Sequence, residues 1–265
     1  MKTAPSIALV INTFNQPEYL ARVLAAVARQ HTPPDEVLLA DDGSGPETRE
    51  VFARWAAGQA GRTRHLWQAN EGFRRSRILN QAIAAATSEY LVFLDGDTLP
   101  HPRFVADHRE LARSGFFVQG HRALVEQKAA AWFGLGELDA DRCRAFWQGQ
   151  LRGGKNAWRW PMPLTTVKDH LRGIRGCNLA IWRADLVRVN GYNEDFTGWG
   201  REDSELALRL LNSGVWRRDL RGRALCYHLW HPPASRAQLT QNDTRLQAAM
   251  ESAARRCEHG LNLHS

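Results

Sequence analysis

The chain has 265 residues, and 43% of them are hydrophobic, which suffices for the core of one large α/β domain. Lysine and arginine number 35 against 28 acidic residues, and the resulting formal charge of +7 favours anionic ligands. No run of 18 apolar residues and no signal-peptide cleavage site occurs. We therefore expect a cytoplasmic protein, and we leave open a peripheral contact with the inner face of the cytoplasmic membrane.

The first hundred residues alternate short apolar runs with amphipathic stretches. Apolar runs at 6–12, 36–40, 65–67 and 90–94 predict four strands. Between them apolar residues recur at helical spacing, which is typical of helices that cover one face of a sheet. Strands that alternate with such helices indicate parallel βαβ units, whose ligands bind beyond the carboxyl ends of the strands.

A polar cluster follows each of these four strands. The clusters are residues 12–15, 41–44, 70–72 and 95–97. Each alone is also a common turn sequence, but their joint placement predicts one crevice at the edge of the sheet. The last cluster contains Asp95 and Asp97. Two closely spaced carboxylates after a buried strand can hold a divalent cation against a phosphorylated ligand, so the pattern predicts an enzyme.

Segment 126–175 is less regular and is rich in aromatic and basic residues. We interpret it as a partly exposed insertion that is packed by its own aromatic side chains. The alternative is an acceptor platform or a contact with an anionic membrane surface.

A charged helix start follows the turn Gly198-Trp199-Gly200. Glu202, Asp203 and Glu205 crowd the first turn of a predicted helix that ends at residues 212–214. Acidic residues at a helix start are stabilising by themselves, but stability alone does not explain the preceding tight turn. A last short strand at 225–228 is followed by His231, and the remaining residues predict an exposed helical tail.

These motifs resemble the inverting family 2 glycosyltransferases, which have the GT-A nucleotide-sugar-binding fold, and within them the branch with a galactosyltransferase-like C-terminal half. The matching segments are INTFN, LLADDGS, NEGFRRSRILNQAI, LDGD, GCNLAIWRADL, NGYNEDF, GWGREDSEL and YHLWH. They span residues 6–231 in the family's order, and DGD followed by GWGRED and a histidine strand is the specific part.

The resemblance implies an α/β fold with a single Rossmann-like, mostly parallel central sheet flanked by helices and an acceptor-side insertion. It implies a GT-A domain over residues 1–232, divided into a nucleotide-sugar-binding half at 1–121 and an acceptor-binding half at 122–232. Residues 233–265 would form a C-terminal helical extension.

On the nucleotide side, the resemblance implies that Asn12, Phe14 and Asp42 hold the nucleoside, with Phe14 near the base. Arg77 would contact the diphosphate. Asp95 would contact the ribose or a metal-bound water.

For the metal, the resemblance implies that Asp97 is a direct ligand. A histidine supplies a second ligand, and we expect His228 rather than His231 to do so. A ligand set of carboxylate and imidazole is consistent with Mn²⁺ as well as with Mg²⁺.

On the acceptor side, the resemblance implies that Asp203 takes the proton from the acceptor hydroxyl. Glu202 would hydrogen-bond sugar hydroxyls, and Trp199 and Gly200 would lie against a sugar ring. A single in-line displacement inverts the anomeric carbon.

We therefore predict a metal-dependent hexosyl- or N-acetylhexosaminyl-transferase that uses a nucleotide diphosphate donor, with UDP as the first choice. Its acceptor would be a saccharide or a lipid-linked saccharide in surface polysaccharide or lipopolysaccharide synthesis, and nucleic acid is not an expected partner. A nucleotidyltransferase is an alternative, but INTFNQPEYL is not the glycine-rich phosphate loop expected of one. A non-catalytic carbohydrate-binding module is another, but a pure binder has no need for Asp97, Asp203 and His228 together.

Overall fold

An eight-stranded mixed sheet forms the centre of the computed structural model, which describes residues 4–264. The strands are β1 (Ile7–Thr13), β2 (Glu36–Asp41), β3 (Arg62–Trp67), β4 (Tyr90–Asp95), β5 (Thr98–Pro100), β6 (Phe116–Gly120), β7 (Arg122–Val125), β8 (Leu151–Arg152), β9 (Leu164–Lys168), β10 (Leu179–Trp182), β11 (Trp216–Arg221) and β12 (Cys226–His228). The helices are α1 (Pro17–Ala28), α2 (Pro46–Ala56), α3 (Arg75–Ala85), α4 (Phe104–Leu111), α5 (Gln127–Ala130), α6 (Leu138–Trp147), α7 (Arg183–Val189), α8 (Glu202–Asn212) and α9 (Leu239–Glu251). Short 3₁₀ turns lie at Gly154–Asn156 and Leu261–Leu263.

The central sheet has the strand order β3-β2-β1-β4-β10-β6-β11-β9. Strands β1 to β4 are mutually parallel neighbours, while β10 and β9 run opposite to the strands that flank them. The sheet is therefore mostly parallel, as predicted. The register sets Asn12 on β1 beside both Ala40 on β2 and Asp95 on β4, so the carboxyl ends of these three strands lie side by side.

Strand β1 has a buried core on both faces, which explains its nearly continuous apolar sequence. Ile7, Leu9 and Ile11 pack with the apolar residues of α1, whereas Ala8 and Val10 pack with those of α3 on the other side of the sheet. The helices are thus held on opposite faces because successive side chains of a strand point in opposite directions. No helix within residues 4–264 has the length and hydropathy needed to cross a bilayer.

A second, four-stranded sheet has the order β5-β12-β7-β8. Only β12 was predicted, and all four strands of this sheet are two to four residues long. The second sheet begins immediately after the end of β4, and Gly96 lies at the joint between the two sheets. The Gly96 N–H donates to the Asn12 carbonyl at 2.7 Å, and a Cβ at Gly96 would lie 2.9 Å from Thr13 Oγ1.

The segment predicted to be an insertion, 126–175, contains α5, α6, β8 and β9. Strand β9 forms one edge of the central sheet. At the C-terminus, helix α9 is held to the domain by Asn242, a fully buried residue whose amide donates to the carbonyls of Thr197 and Gly200.

Helix α8 is fixed by a fully buried arginine. Arg209 donates to both carboxylate oxygens of Glu205 one turn earlier, at 2.8 and 2.7 Å. It also donates to the carbonyl oxygens of Val189 and Gly191, which lie at the end of α7 and in the following turn. Because α8 carries the acidic cluster at its first turn, this interaction fixes the position of that cluster.

We predict that Arg209→Met lowers the free energy of unfolding by about 3–5 kcal/mol, because Glu205 would then be a buried charge without a partner. Urea denaturation measures this change. Arg188→Met is the matched control, since Arg188 forms an ion pair with Asp185 at a half-exposed site of α7 and should contribute about 0–1 kcal/mol. Equal losses in the two variants would contradict the prediction.

Candidate active site

Asp97, His228 and His231 form a group of side chains that can hold a metal ion. One carboxylate oxygen and one ring nitrogen from each histidine all lie within 4.8 Å of one another. The pairing of β12 with β5 produces this group, because it sets His228 opposite Thr98, the residue after Asp97. The Leu229 N–H also donates to the Asp97 carbonyl at 2.9 Å.

Burial shifts the pKa values of His228 and Asp97 in opposite directions, and the shift at His228 favours metal binding. Burial, and secondarily Arg122, lower the pKa of His228 to about 4, so its imidazole is neutral at pH 7 and has a free lone pair. Burial raises the pKa of Asp97, and the nearby His231 imidazole opposes that shift. His231 Nε2 lies 3.2 Å from the carboxylate and His228 Nε2 lies 3.5 Å from it. The structure thus brings both histidines to Asp97, including the one that we had set aside.

The residues expected on the nucleotide side lie at the carboxyl ends of β1 and β2. Asn12 is within β1, and Phe14 follows that strand with 45% of its surface exposed. Asp42 is buried after β2, where burial raises its pKa. Its two oxygens accept from the Gln68 side chain at 2.5 Å and from the Arg74 N–H at 2.9 Å.

The four polar clusters meet, as their placement at strand ends predicts. The Asn15 N–H donates to Ser44 Oγ at 2.9 Å, joining the first cluster to the second. Gly43, at a φ of +96°, touches the third cluster, since a Cβ there would lie 2.7 Å from the Asn70 Cα. The fourth cluster joins the first through the register of Asp95 with Asn12.

Arg75 lies between the ends of β1 and β4 and the first turn of α8, and the sequence pattern did not lead us to expect it there. Its Nε donates to Asn12 Oδ1 at 3.1 Å, and its Nη2 lies 3.7 Å from Asp95. Its Nη1 donates to both acidic residues of α8, Asp203 at 2.9 Å and Glu202 at 3.3 Å.

Arg77 was the arginine expected to contact the diphosphate. It lies on α3 with a half-buried side chain, and its guanidinium makes no hydrogen bond or ion pair with the described residues. The helical spacing of apolar residues in α3 already distinguishes Arg75 from Arg77. Arg75 shares the apolar face of the helix at i, i+3 and i+4 with Ile78 and Leu79, whereas Arg77 lies off that face.

Glu202 and Asp203, at the start of α8, differ in burial and in hydrogen bonding. Glu202 is buried, and its Oε2 accepts from the Gly200 N–H at 3.1 Å, so both of its oxygens are engaged. Burial raises the pKa of Glu202 to about 7, and the adjacent Asp203 adds to the shift. Asp203 is more open, and its Oδ2 accepts no hydrogen bond from residues 4–264.

The turn before α8 presents Trp199 at the surface. Gly198 and Gly200 have φ values of +71° and +109°, a region that glycine adopts without strain. Trp199 is 40% exposed, and the guanidinium of Arg236 lies 5.3 Å from the centre of its ring.

Two family models match the chain. The Glycosyl transferase family 2 model matches residues 8–167, and the model described as the N-terminal domain of galactosyltransferase matches residues 161–231. Together they cover both sides of the cleft.

Curated relatives are longer than the chain. It is 26% identical to the chondroitin synthase of Escherichia coli, over 84% of this chain and 34% of the relative. It is 28% identical to the validoxylamine A glucosyltransferase of Streptomyces hygroscopicus subsp. limoneus, over 80% of this chain and 49% of the relative. The chain therefore spans about a third to a half of the length of these proteins.

Solved structures share the fold at low sequence identity. A mannosyltransferase from Pyrobaculum calidifontis, in complex with GDP-Man and Mn²⁺, has a TM-score of 0.61 and 20% identity over 94% of this chain and 65% of that chain. GalNAc-T7 with UDP, GalNAc and Mn²⁺ has a TM-score of 0.68 and 13% identity over 94% and 50% of the two chains. These likenesses confirm the predicted GT-A architecture.

The raised pKa of Glu202 predicts how stability depends on pH. Between pH 4.5 and about 7 the folded state holds a proton on Glu202 that the unfolded state releases, so this residue makes stability fall as pH rises. We expect Glu202→Gln to weaken that fall by several degrees of melting temperature between pH 5 and pH 8. Glu110→Gln, an exposed change on α4, is the control, and identical pH profiles of Glu202→Gln and the unmodified protein would refute the prediction.

Proposed function

The chain belongs to glycosyl transferase family 2, and from this premise we propose that it is a metal-dependent inverting transferase of hexose or N-acetylhexosamine. The donor is a nucleotide diphosphate sugar, with UDP as the carrier to test first. The acceptor is a hydroxyl of a saccharide.

One observation carries the proposal: a single guanidinium contacts both sides of the cleft. Arg75 is within 3.7 Å of Asp95, next to the candidate metal ligand Asp97, and within 2.9 Å of Asp203 at the start of α8. A transferase needs groups for the leaving diphosphate and for the incoming hydroxyl at opposite sides of one anomeric carbon. The closeness of these segments supports such an arrangement.

Asp203 is the general base in this proposal. It accepts the proton of the acceptor hydroxyl while the oxygen forms a bond to the anomeric carbon, and the bond to the diphosphate breaks with its electron pair. The free Oδ2 of Asp203 supports this assignment, since both oxygens of Glu202 are already bonded within the protein. Glu202 instead positions the turn and hydrogen-bonds sugar hydroxyls, with Trp199 and Gly200 against the ring.

Asp97, His228 and His231 would hold the divalent cation. The mixture of carboxylate and imidazole fits Mn²⁺ and also admits Mg²⁺. When bound, such an ion neutralises charge on the leaving diphosphate. On the same side of the cleft, Asn12, Phe14 and Asp42 bind the nucleoside and Asp95 binds the ribose. The guanidinium of Arg77, which pairs with no side chain among residues 4–264, binds the diphosphate.

Trp199 and segment 126–175 are the candidate acceptor-binding surfaces. Trp199 is half-exposed beside the cleft, and an aromatic ring is a suitable surface for a sugar. We assign acceptor selection to segment 126–175 and propose a saccharide or lipid-linked saccharide of a surface polysaccharide, or of lipopolysaccharide, as the substrate. We also propose that the protein is cytoplasmic and contacts the inner face of the cytoplasmic membrane peripherally.

A panel of nucleotide sugars with Mn²⁺, with and without saccharide acceptors, tests the activity through release of nucleoside diphosphate. We predict that Asp203→Asn lowers turnover by about 100- to 10,000-fold with the active donor, because the base is lost. Nucleotide affinity, measured by calorimetry, should be retained.

Asp185→Asn, at a surface ion pair of α7, is the matched control and should leave turnover unchanged. Turnover of Asp203→Asn at the level of the unmodified protein would remove the base assignment. If no donor releases its nucleotide with any metal, the proposed activity itself is wrong.

We further predict that His228→Ala and His231→Ala each weaken Mn²⁺ binding at least tenfold, since each removes one of three candidate ligands. Electron paramagnetic resonance of free Mn²⁺ measures the affinity. His259→Ala is the control, because His259 is exposed and forms an ion pair with Asp195 at 3.0 Å, away from Asp97. Unchanged affinity after loss of His231 alone would restore our original expectation that His228 is the histidine ligand.

A further inference from the structure

The guanidinium of Arg75 is enclosed by polar groups from several elements, and the residue is only 6% exposed. Asn12 contacts it from β1, Asp95 from the end of β4, and Asp203 from α8. The ring of Tyr192 lies below it, with the Arg75 Cζ 5.8 Å from the ring centre. An arginine in this position costs desolvation unless its hydrogen bonds are made, and here they are made to groups on both sides of the cleft.

Arg75 supplies positive charge to three carboxylates. Within residues 4–264 it is the only cationic side chain at ion-pair distance from Asp95, Glu202 and Asp203. Burial and the neighbouring Asp203 carboxylate both raise the pKa of Glu202, because each disfavours its ionised form. The positive charge of Arg75 lowers that pKa and so opposes both. Without the guanidinium, the two acidic side chains of α8 have no counter-charge to hold them in place.

The backbone at Gly176 completes this enclosure. A Cβ at Gly176 would lie 2.2 Å from Arg75 Nη2 and 2.7 Å from Asp203 Oδ1. Gly176 therefore leaves the space that the ion pair of Arg75 and Asp203 fills. Helix α3, helix α8 and the backbone at Gly176 meet at this ion pair, so the geometry of the ion pair is closely constrained.

We propose that Arg75 is a positioning residue for Asp203, holding Oδ1 of the carboxylate in the cleft and leaving Oδ2 free to accept a proton. The inference rests on the proposed transfer reaction, and it adds a residue that acts through the base. Arg75 also ties the base to Asp95, so the orientation of Asp203 depends on the nucleotide side of the cleft.

Arg75→Ala tests the proposal by steady-state kinetics with the donor that the unmodified protein uses. We expect kcat to fall about 100-fold, and guanidinium ion at millimolar concentration to restore at least tenfold of that loss. The same ion should restore nothing to Asp203→Asn, because there the base itself is absent. Arg54→Ala is the control, since Arg54 is exposed on α2 and its Nε donates to the Glu50 carbonyl of the same helix.

Arg75→Lys keeps the charge but not the planar fork, and it serves if the alanine variant does not fold. Its kcat should fall about tenfold, because one ammonium cannot reach Asn12, Asp95 and the acidic pair together. A kcat within threefold of the unmodified protein in either folded variant overturns this inference while the transferase activity stands. Absence of turnover by the unmodified protein overturns the proposed function, and this inference with it.

Discussion

Three carboxylates and one guanidinium share the space between β4, α3 and α8, and the electrostatics of this group constrain the whole cleft. Asp95, Glu202 and Asp203 come from segments about a hundred residues apart, and Arg75 is in ion-pair contact with each of them. Bringing acidic groups together is unfavourable unless a cation lies among them. The fold satisfies this requirement with a side chain from the buried face of α3, so the arrangement of the three carboxylates depends on one residue.

Much of the fold could be predicted, since long apolar runs and helical spacing report burial directly. The parallel strands β1, β2 and β4 and the helix α8 were all expected from such patterns. Apart from β12, the second sheet was not, because β5 and β8 are too short to show a period and are defined by pairing partners that are distant in sequence. Pairing of this kind is a tertiary property, and a local pattern does not contain it.

The candidate site was likewise predictable in part. The convergence of the four strand-end clusters was predicted from topology, whereas the choice between neighbouring side chains depended on orientation. Arg75 and Arg77 are both basic and two residues apart, but only the first shares the face of Ile78. The spacing of three residues between His228 and His231 likewise gave no reason to expect both beside Asp97, which depends on how the chain bends after β12.

Asp95 and Asp97 are separated by one residue, yet they belong to different layers of the molecule. Asp95 ends the large sheet and faces Arg75, and Asp97 precedes the small sheet and faces the two histidines. Gly96, whose N–H donates to the Asn12 carbonyl, joins the two residues in the chain. The distance between the electrostatic centre and the ion-binding centre is therefore set by the two peptide units on either side of Gly96, and the hydrogen bond to the Asn12 carbonyl holds them in place.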